Sequence, residues 1–173
     1  TMPKRIAVLV THEFEDAAYS EPIEAFRAAS HSVLNIEKQS GKIIHGKQYR
    51  TVVTIDRSID EISIQDFDAL MIPGGHSPFH LSQDARFIHF VRAFVHAEKP
   101  IFSICHAPIL LAQANVIQQR RLTAIQPLAK TLTDAGAIYY DAELVNDNNL
   151  LISSRQLEDL PVFIHECLSV LKI

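Results

Sequence analysis

Three short apolar runs constrain the fold of this chain more than any other feature. Residues 6–10, 68–72 and 100–104 are almost entirely apolar, without alternation of polar and apolar side chains. A strand that is covered on both faces has such a run, whereas a strand with one wet face alternates. Segments with helical spacing separate the runs. This order predicts an α/β fold, a three-layer sandwich whose mostly parallel sheet carries helices on both faces.

The spacing of apolar residues predicts helices in five segments, namely 23–29, 87–95, 109–114, 128–135 and 157–171. Pro108 suits the first turn of the third helix, where its missing N–H costs nothing. Gly136 is a typical left-handed end for the fourth. Two regions rich in β-branched residues and Tyr, 43–55 and 138–152, predict short strands or hairpins.

The composition predicts one globular domain over residues 3–173. Hydrophobic residues make up 47% of the 173, which argues against disorder. The formal net charge of −4 provides no positive field for phosphate backbones and argues against nucleic acid as a partner. The apolar run at 6–10 is too short for a signal-peptide core or a membrane span, and the two cysteines have no disulfide-scaffold spacing. We therefore expect a cytoplasmic protein without a membrane segment.

Reactive residues follow each of the three apolar runs, at 12–16, 74–78 and 105–108. The carboxyl ends of strands in an open α/β sheet border a common crevice, which is where ligands bind. Cys105 stands between a strand and a helix start, where unpaired helix N–H groups favour a thiolate, and His106 follows it. Cys105 is therefore a candidate nucleophile. The alternative is that it is a small buried hydrophobic residue.

The turn that contains Gly74 and Gly75 lies at the same edge of the sheet. Glycine permits backbone conformations that aim N–H groups outward. Together with the N–H of His106, the N–H of Gly75 would then hold an oxyanion formed when Cys105 attacks a substrate. The alternative is an ordinary strand-to-helix turn.

Three segments in chain order carry a family resemblance: Glu-Phe-Glu-Asp at 13–16, Ile-Pro-Gly-Gly at 72–75 and Ile-Cys-His-Ala-Pro at 104–108. With further matches at 122–124 and 147–149, the chain resembles the PfpI/ThiJ family from residue 4 to 171. The resemblance implies a flavodoxin-like fold of the class I glutamine amidotransferase-like superfamily and a homodimer or larger homo-oligomer. Members are reported as intracellular peptidases, deglycases, glyoxalases, chaperones and oxidative-stress proteins, so the fold does not fix the function.

The resemblance also assigns roles to residues and shows two departures. Cys105 matches the family's nucleophile, His106 the histidine that follows it, and Gly75 the oxyanion-hole glycine. Relatives usually have a glutamate where this chain has Ala18, and peptidase-like members have a carboxylate where it has Phe79. Both acids that the resemblance implies are therefore missing.

Glu15 is the candidate substitute for the missing acid. It lies three residues before Ala18 and shares its face if the segment is helical. The alternative is that Glu15, like Asp16, caps a helix N-terminus. Gly74, His76, Phe79 and Ala18 are expected to line the pocket.

Other motifs lack the partners that their chemistry needs. Residues 41–47 have the spacing of a P-loop, but Gln48 stands where Ser or Thr would hold magnesium. His76 and His80 are four apart without a zinc-binding motif, and Cys167 fits the buried face of the last helix. We expect no metal and no cofactor.

Two functions remain open from the sequence. One is a stress-protective cysteine hydrolase that acts on peptide or amide bonds or on glyoxal-type adducts, with a small molecule or a peptide as substrate. The other is a catalytically impaired family member that acts through Cys105 as an oxidative-stress sensor, a chaperone or a small-molecule-binding protein.

Overall fold

The computed structural model describes residues 2–173 as eleven strands and six α-helices. The strands are β1 (Arg5–Leu9), β2 (Ser32–Glu37), β3 (Ile43–His45), β4 (Val52–Thr54), β5 (Arg57–Ser58), β6 (Ala69–Ile72), β7 (Ile101–Ile104), β8 (Arg121–Leu122), β9 (Ile138–Tyr139), β10 (Val145–Asp147) and β11 (Leu151–Ser154). The helices are α1 (Asp16–Ala28), α2 (Ser77–Leu81), α3 (Ala85–His96), α4 (Pro108–Gln113), α5 (Ala129–Asp134) and α6 (Leu160–Leu171).

Seven of these strands form the central sheet, in the order β10-β11-β7-β6-β1-β2-β5. Neighbouring strands are parallel except β10 and β11, which are antiparallel. The three predicted strands β1, β6 and β7 are neighbours at its centre. Ile6 of β1 pairs with Val33 on one side and with Ala69 on the other. The predicted flavodoxin-like α/β sandwich is confirmed.

Two apolar cores lie on opposite faces of the sheet, because successive side chains of a strand point to opposite sides. Ile6 and Val8 belong to the core shared with α1 and α6, where the rings of Phe26 and Phe102 lie 5.9 Å apart. Ala7 belongs to the other core, which α3, α4 and α5 cover. Because the helices cover the two faces of the sheet, the carboxyl ends of its strands remain available for a functional site.

Several boundaries differ from the predicted ones. The region 43–55 forms the β3–β4 hairpin as predicted, but β2, β5, β8 and the short helix α2 were not predicted. They are short or mixed in polarity, so no periodic signal marks them. The last helix begins with a 3₁₀ turn, Leu157–Asp159, rather than as one α-helix. Within residues 2–173, no helix is long and apolar enough to cross a membrane.

Candidate functional site

Cys105 occupies a strained turn between β7 and α4. Its φ of 59° lies in the left-handed region, which non-glycine residues rarely adopt. Its N–H donates to the carbonyl of Ser154 at 3.1 Å, and its carbonyl accepts from the N–H of Ile125 at 3.0 Å. Gly74 lies directly against this turn, because a Cβ built on it would be 2.8 Å from the Cβ of Cys105. The turn is therefore fixed by the β11 end, the loop after β8 and the Gly74 backbone.

The N–H groups predicted to hold an oxyanion are free. Within residues 2–173, neither the N–H of Gly75 nor that of His106 donates a hydrogen bond. Gly75 has a φ of 83° and is held by its neighbours: Glu15 N–H donates to Gly74 O at 3.0 Å and His76 N–H donates to Glu13 O at 2.9 Å. Two unpaired donors beside a cysteine are what an oxyanion site requires.

Glu15 precedes α1 and is 7% exposed. Within the described chain, its side chain does not cap the helix, so the capping alternative for this residue is not what the structure shows. Its Oε2 lies 2.7 Å from Nζ of Lys47. Its Oε1 is buried and has no hydrogen-bond partner among residues 2–173. A buried carboxylate oxygen without a donor is costly, so this atom needs a functional explanation.

The segment with P-loop spacing, residues 41–47, contains β3 and the first two residues of the loop that leads to β4. The Asp16 carboxylate accepts N–H groups from Gln48 at 2.9 Å, Arg50 at 3.0 Å and Thr51 at 2.9 Å. Burial opposes ionisation of Asp16, but these three bonds outweigh it and its pKa is lowered. Asp16 lies in the first turn of α1, and its carboxylate holds the loop that carries Lys47.

The electrostatics around Cys105 contradict the predicted resting thiolate. Burial, followed by the negative charge of Glu15, raises the pKa of the Cys105 thiol to about 12, with Asp159 and Glu158 adding to the rise and Lys47 opposing it. The prediction failed because α4 has only six residues, Cys105 is buried and the largest effect of any charge on it is that of the Glu15 carboxylate. Cys105 is a thiol at neutral pH.

His106 is half-buried beside the nucleophile. Burial, with the charges of Lys47 and His76, lowers the pKa of its imidazole, and Glu15 opposes this weakly. His106 is therefore neutral near pH 7. Within the described residues, no carboxylate pairs with its ring. The histidine with an acidic partner is His80, whose Nε2 lies 2.9 Å from Oε1 of Glu13.

The predicted lining residues fall into two groups. Gly74 and Ala18 are buried, and Ala18 packs in the apolar cluster that also contains Cys105. His76 and Phe79 lie at the surface, and Phe79 is 52% exposed.

Cys167 lies on α6 and is buried in the apolar core that this helix covers, and burial raises the pKa of its thiol well above the usual range. Sequence reasoning missed Lys47, since a lysine in a turn carries no signal of its own.

The part of the chain described here contains no group of three or more His, Cys, Asp or Glu side chains arranged to hold a metal ion.

Residues 4–170 match the model of the DJ-1/PfpI family. The chain belongs to this family. It is 51% identical over 170 residues to "Protein/nucleic acid deglycase 2" of Escherichia coli (strain K12), covering 98% of this chain and 99% of that one. It is 44% identical over 171 residues to "General stress protein 18" of Bacillus subtilis (strain 168), covering 99% of each.

Solved structures agree with this assignment. The DJ-1/ThiJ/PfpI-like part of a two-domain protein from Anabaena variabilis, which also has a ferritin-like domain, superposes with a TM-score of 0.95 at 29% identity. The match covers 98% of this chain and 48% of that one. Drosophila melanogaster DJ-1beta shares the fold, with a TM-score of 0.87 at 22% identity over 96% of this chain and 89% of that one.

Proposed function

We propose that this protein is a cysteine-dependent hydrolase of the deglycase type, which removes glyoxal-type adducts from amino groups. The observation that carries the proposal is the strained Cys105 turn flanked by the free N–H groups of Gly75 and His106 and by the buried Glu15. The relative that is 51% identical over nearly the whole chain bears the name of a deglycase, which supports the same activity.

The steps follow from the placement of these groups. The sulfur of Cys105 forms a bond to the carbinolamine carbon of the adduct as the carbon–nitrogen bond breaks, and the thiol proton passes through Glu15 to the leaving amine. This step leaves a hemithioacetal next to a carbonyl group. A proton then moves from the sulfur-bearing carbon to the neighbouring carbonyl carbon through an enediolate, whose oxygen accepts hydrogen bonds from the N–H groups of Gly75 and His106. The result is the thioester of a 2-hydroxy acid, which water hydrolyses to the free acid and the thiol.

His106 assists this chemistry as a neutral imidazole. Because burial lowers the pKa of its ring, one ring nitrogen can accept a proton from the hydrolytic water. A peptidase arrangement would place a carboxylate on that ring, and Phe79 stands where peptidase-like relatives have one. We therefore favour adduct hydrolysis over peptide-bond hydrolysis.

The oxidation-sensor alternative is disfavoured by the thiol itself. Oxidation of cysteine depends on thiolate character and exposure. Cys105 is 6% exposed, and burial and Glu15 raise its pKa to about 12. A buried, protonated thiol reacts slowly with peroxide. The predicted homodimer or larger assembly stays a prediction, which light scattering can check.

The proposed function is tested with a peptide whose amine has been treated with methylglyoxal. We expect the protein to release the unmodified amine, Cys105→Ser to lose this activity, and Glu15→Gln to lose about 10²–10⁴-fold. Cys167→Ser is the matched control, since it removes the other buried thiol and should keep full activity. Release of the amine by Cys105→Ser at the wild-type rate would refute the proposal.

A further inference from the structure

Three aromatic rings lie in a row beside the candidate site. The planes of the His12 and His45 rings differ by 5° and their centroids are 6.4 Å apart, while the Tyr49 ring lies 5.9 Å from that of His45. His12 follows β1, His45 ends β3, and Tyr49 belongs to the loop between β3 and β4. We call these three residues the ring row.

The ring row faces solvent rather than the core. Tyr49 is 80% exposed, His12 is exposed and His45 is half-buried. Ile43 and Val52 lie on the same face of the hairpin, since Ile43 is two residues from His45 and Val52 pairs with it, and both are exposed. Exposed apolar side chains grouped on one face indicate a binding surface.

Hydrogen bonds fix the loop that carries Tyr49. This residue has a φ of 56°, in the left-handed region, and its N–H donates to the carbonyl of Gly46 at 2.9 Å. The Asp16 carboxylate accepts the N–H groups on both sides of it, from Gln48 at 2.9 Å and from Arg50 at 3.0 Å. An aromatic side chain on a fixed loop loses little conformational entropy when it binds, which suits it to recognition.

The same loop reaches the candidate active site. Lys47, two residues before Tyr49, has its Nζ 2.7 Å from Oε2 of Glu15. The N–H of Glu15 donates to the carbonyl of Gly74 at 3.0 Å, and Gly74 lies against the Cys105 turn. A substrate that is held on the ring row therefore has its neighbouring groups on the side of the nucleophile.

The charges of the hairpin favour a peptide over a nucleic acid. Residues 42–50 contain Lys42, Lys47 and Arg50 and no acidic residue. Both lysines are paired with buried carboxylates, whereas Arg50 has no carboxylate partner among residues 2–173. One unpaired guanidinium suits a single carboxylate, while a nucleic acid requires several cations along its backbone.

We propose that the ring row is a substrate-recognition site, which binds the aromatic side chain of a peptide that carries the adduct on a nearby amine. Aromatic side chains pack on the faces and edges of other rings, and Arg50 is placed to bind a carboxylate of the same peptide. This inference rests on the proposed function, because it names the class of substrate that the site processes.

Binding is measured with four-residue peptides of glycine that contain one tryptophan, at the second, third or fourth position. The protein has no tryptophan, so the emission of the peptide reports binding without a background from the protein. Counterparts with leucine in place of tryptophan are measured by competition. The same peptides, treated with methylglyoxal at the amino terminus, are then used for kcat and KM.

We expect the best tryptophan peptide to bind about 2- to 10-fold more tightly than its leucine counterpart, as one aromatic pair provides. Tyr49→Leu should remove this preference, and Tyr49→Phe, which keeps the ring, should retain it. Tyr140→Leu is the matched control, because Tyr140 is also exposed but lies outside the hairpin. In turnover, Tyr49→Leu should raise KM for tryptophan peptides and leave kcat unchanged.

Two results overturn the inference directly. One is equal binding of tryptophan and leucine peptides at all three positions, and the other is a preference that survives in Tyr49→Leu. For Arg50, peptides that end in a carboxylate should bind about 2- to 5-fold more tightly than carboxamides in wild type and equally in Arg50→Gln. Equal binding of both forms in wild type would contradict the role of Arg50.

Other occupants of the ring row give different results. If a second copy of the chain covers it, light scattering shows a smaller mass for Tyr49→Leu than for wild type, and the tryptophan preference is absent. If a labelled single strand of about ten nucleotides binds more tightly than every peptide and Tyr49→Leu abolishes this, the row binds nucleic acid. Either result overturns recognition of a peptide.

Failure of the proposed function is distinguishable from failure of this inference. If wild type prefers tryptophan peptides but releases no amine from any treated peptide, the proposed function is wrong and the ring row is still a peptide-binding site. If wild type releases the amine with equal kcat/KM from tryptophan and leucine peptides, only the recognition role is wrong.

Discussion

The protonation state of Cys105 at rest is the property that most sharply tests the site. Burial and the charge of Glu15 raise the pKa of this thiol from an ordinary 9.0 to about 12. At pH 7 the thiolate then amounts to about one molecule in 10⁵, against about one in 10² for an ordinary thiol, because each pKa unit is a factor of ten. The sulfur should therefore be about a thousandfold less ionised than a free cysteine.

Ultraviolet absorbance of the thiolate measures this directly. We expect the difference between wild type and Cys105→Ser to stay flat from about pH 6 to about pH 10. In Glu15→Gln the signal should rise at lower pH than in wild type, because the charge that opposes the thiolate is gone. Cys167→Ser gives the background of the second buried thiol. A Cys105-dependent thiolate signal below about pH 8 in wild type would refute the electrostatic argument.

Two further predictions concern stability. Gly75→Ala and Gly41→Ala each add a Cβ to a residue with positive φ, which is 83° at Gly75 and 86° at Gly41. The new Cβ would lie 2.5 Å from the backbone nitrogen of Glu15 at position 75, whereas no atom lies within 4 Å of it at position 41. We expect Gly41→Ala to lower the free energy of unfolding in urea by about 1 kcal/mol and to keep activity. Gly75→Ala should lower it by more and abolish activity. Equal losses in the two variants would contradict the predicted collision at Gly75. Burial, aided by Lys4, lowers the pKa of His31 below 6.5, and its Nδ1 accepts the Lys4 N–H at 2.9 Å. The unfolded chain therefore binds a proton at His31 more tightly than the folded chain does. The stability that neutral His31 contributes is complete above pH 6.5 and is lost as the pH falls through the pKa of His31 in the folded protein. His31→Gln should reduce the pH dependence of the free energy of unfolding in urea between about pH 7 and pH 5. An unchanged pH dependence would exclude His31 as the cause of the loss of stability in this range.

The centre of the fold could be predicted from sequence because burial on both faces leaves a continuous apolar run. β1, β6 and β7 have such runs and lie side by side. β2 could not be found in this way, since Asn35 interrupts it. That residue is buried and its amide oxygen accepts the hydroxyl of Tyr19 at 2.8 Å, so a polar partner from another element replaces the apolar signal.

The site was predictable to the extent that it depends on the ends of strands. Cys105, Gly75 and Glu15 follow β7, β6 and β1 closely, and topology brings such ends to one edge. Lys47 comes from a hairpin outside the main sheet, and its position depends on long-range bonds from Phe14 and Asp16. No local pattern encodes such bonds.

The protonation state of Cys105 also depends on long-range contacts more than on local backbone geometry. Helix and turn geometry near Cys105 predicted a thiolate, but burial and the carboxylate of Glu15 outweigh a six-residue helix. A permanent thiolate would react with any oxidant, whereas a thiol beside a proton acceptor becomes nucleophilic only as its proton moves. Selectivity for an adduct would then come from the substrate, whose electrophilic carbon must reach the sulfur while its oxygen reaches the N–H groups of Gly75 and His106.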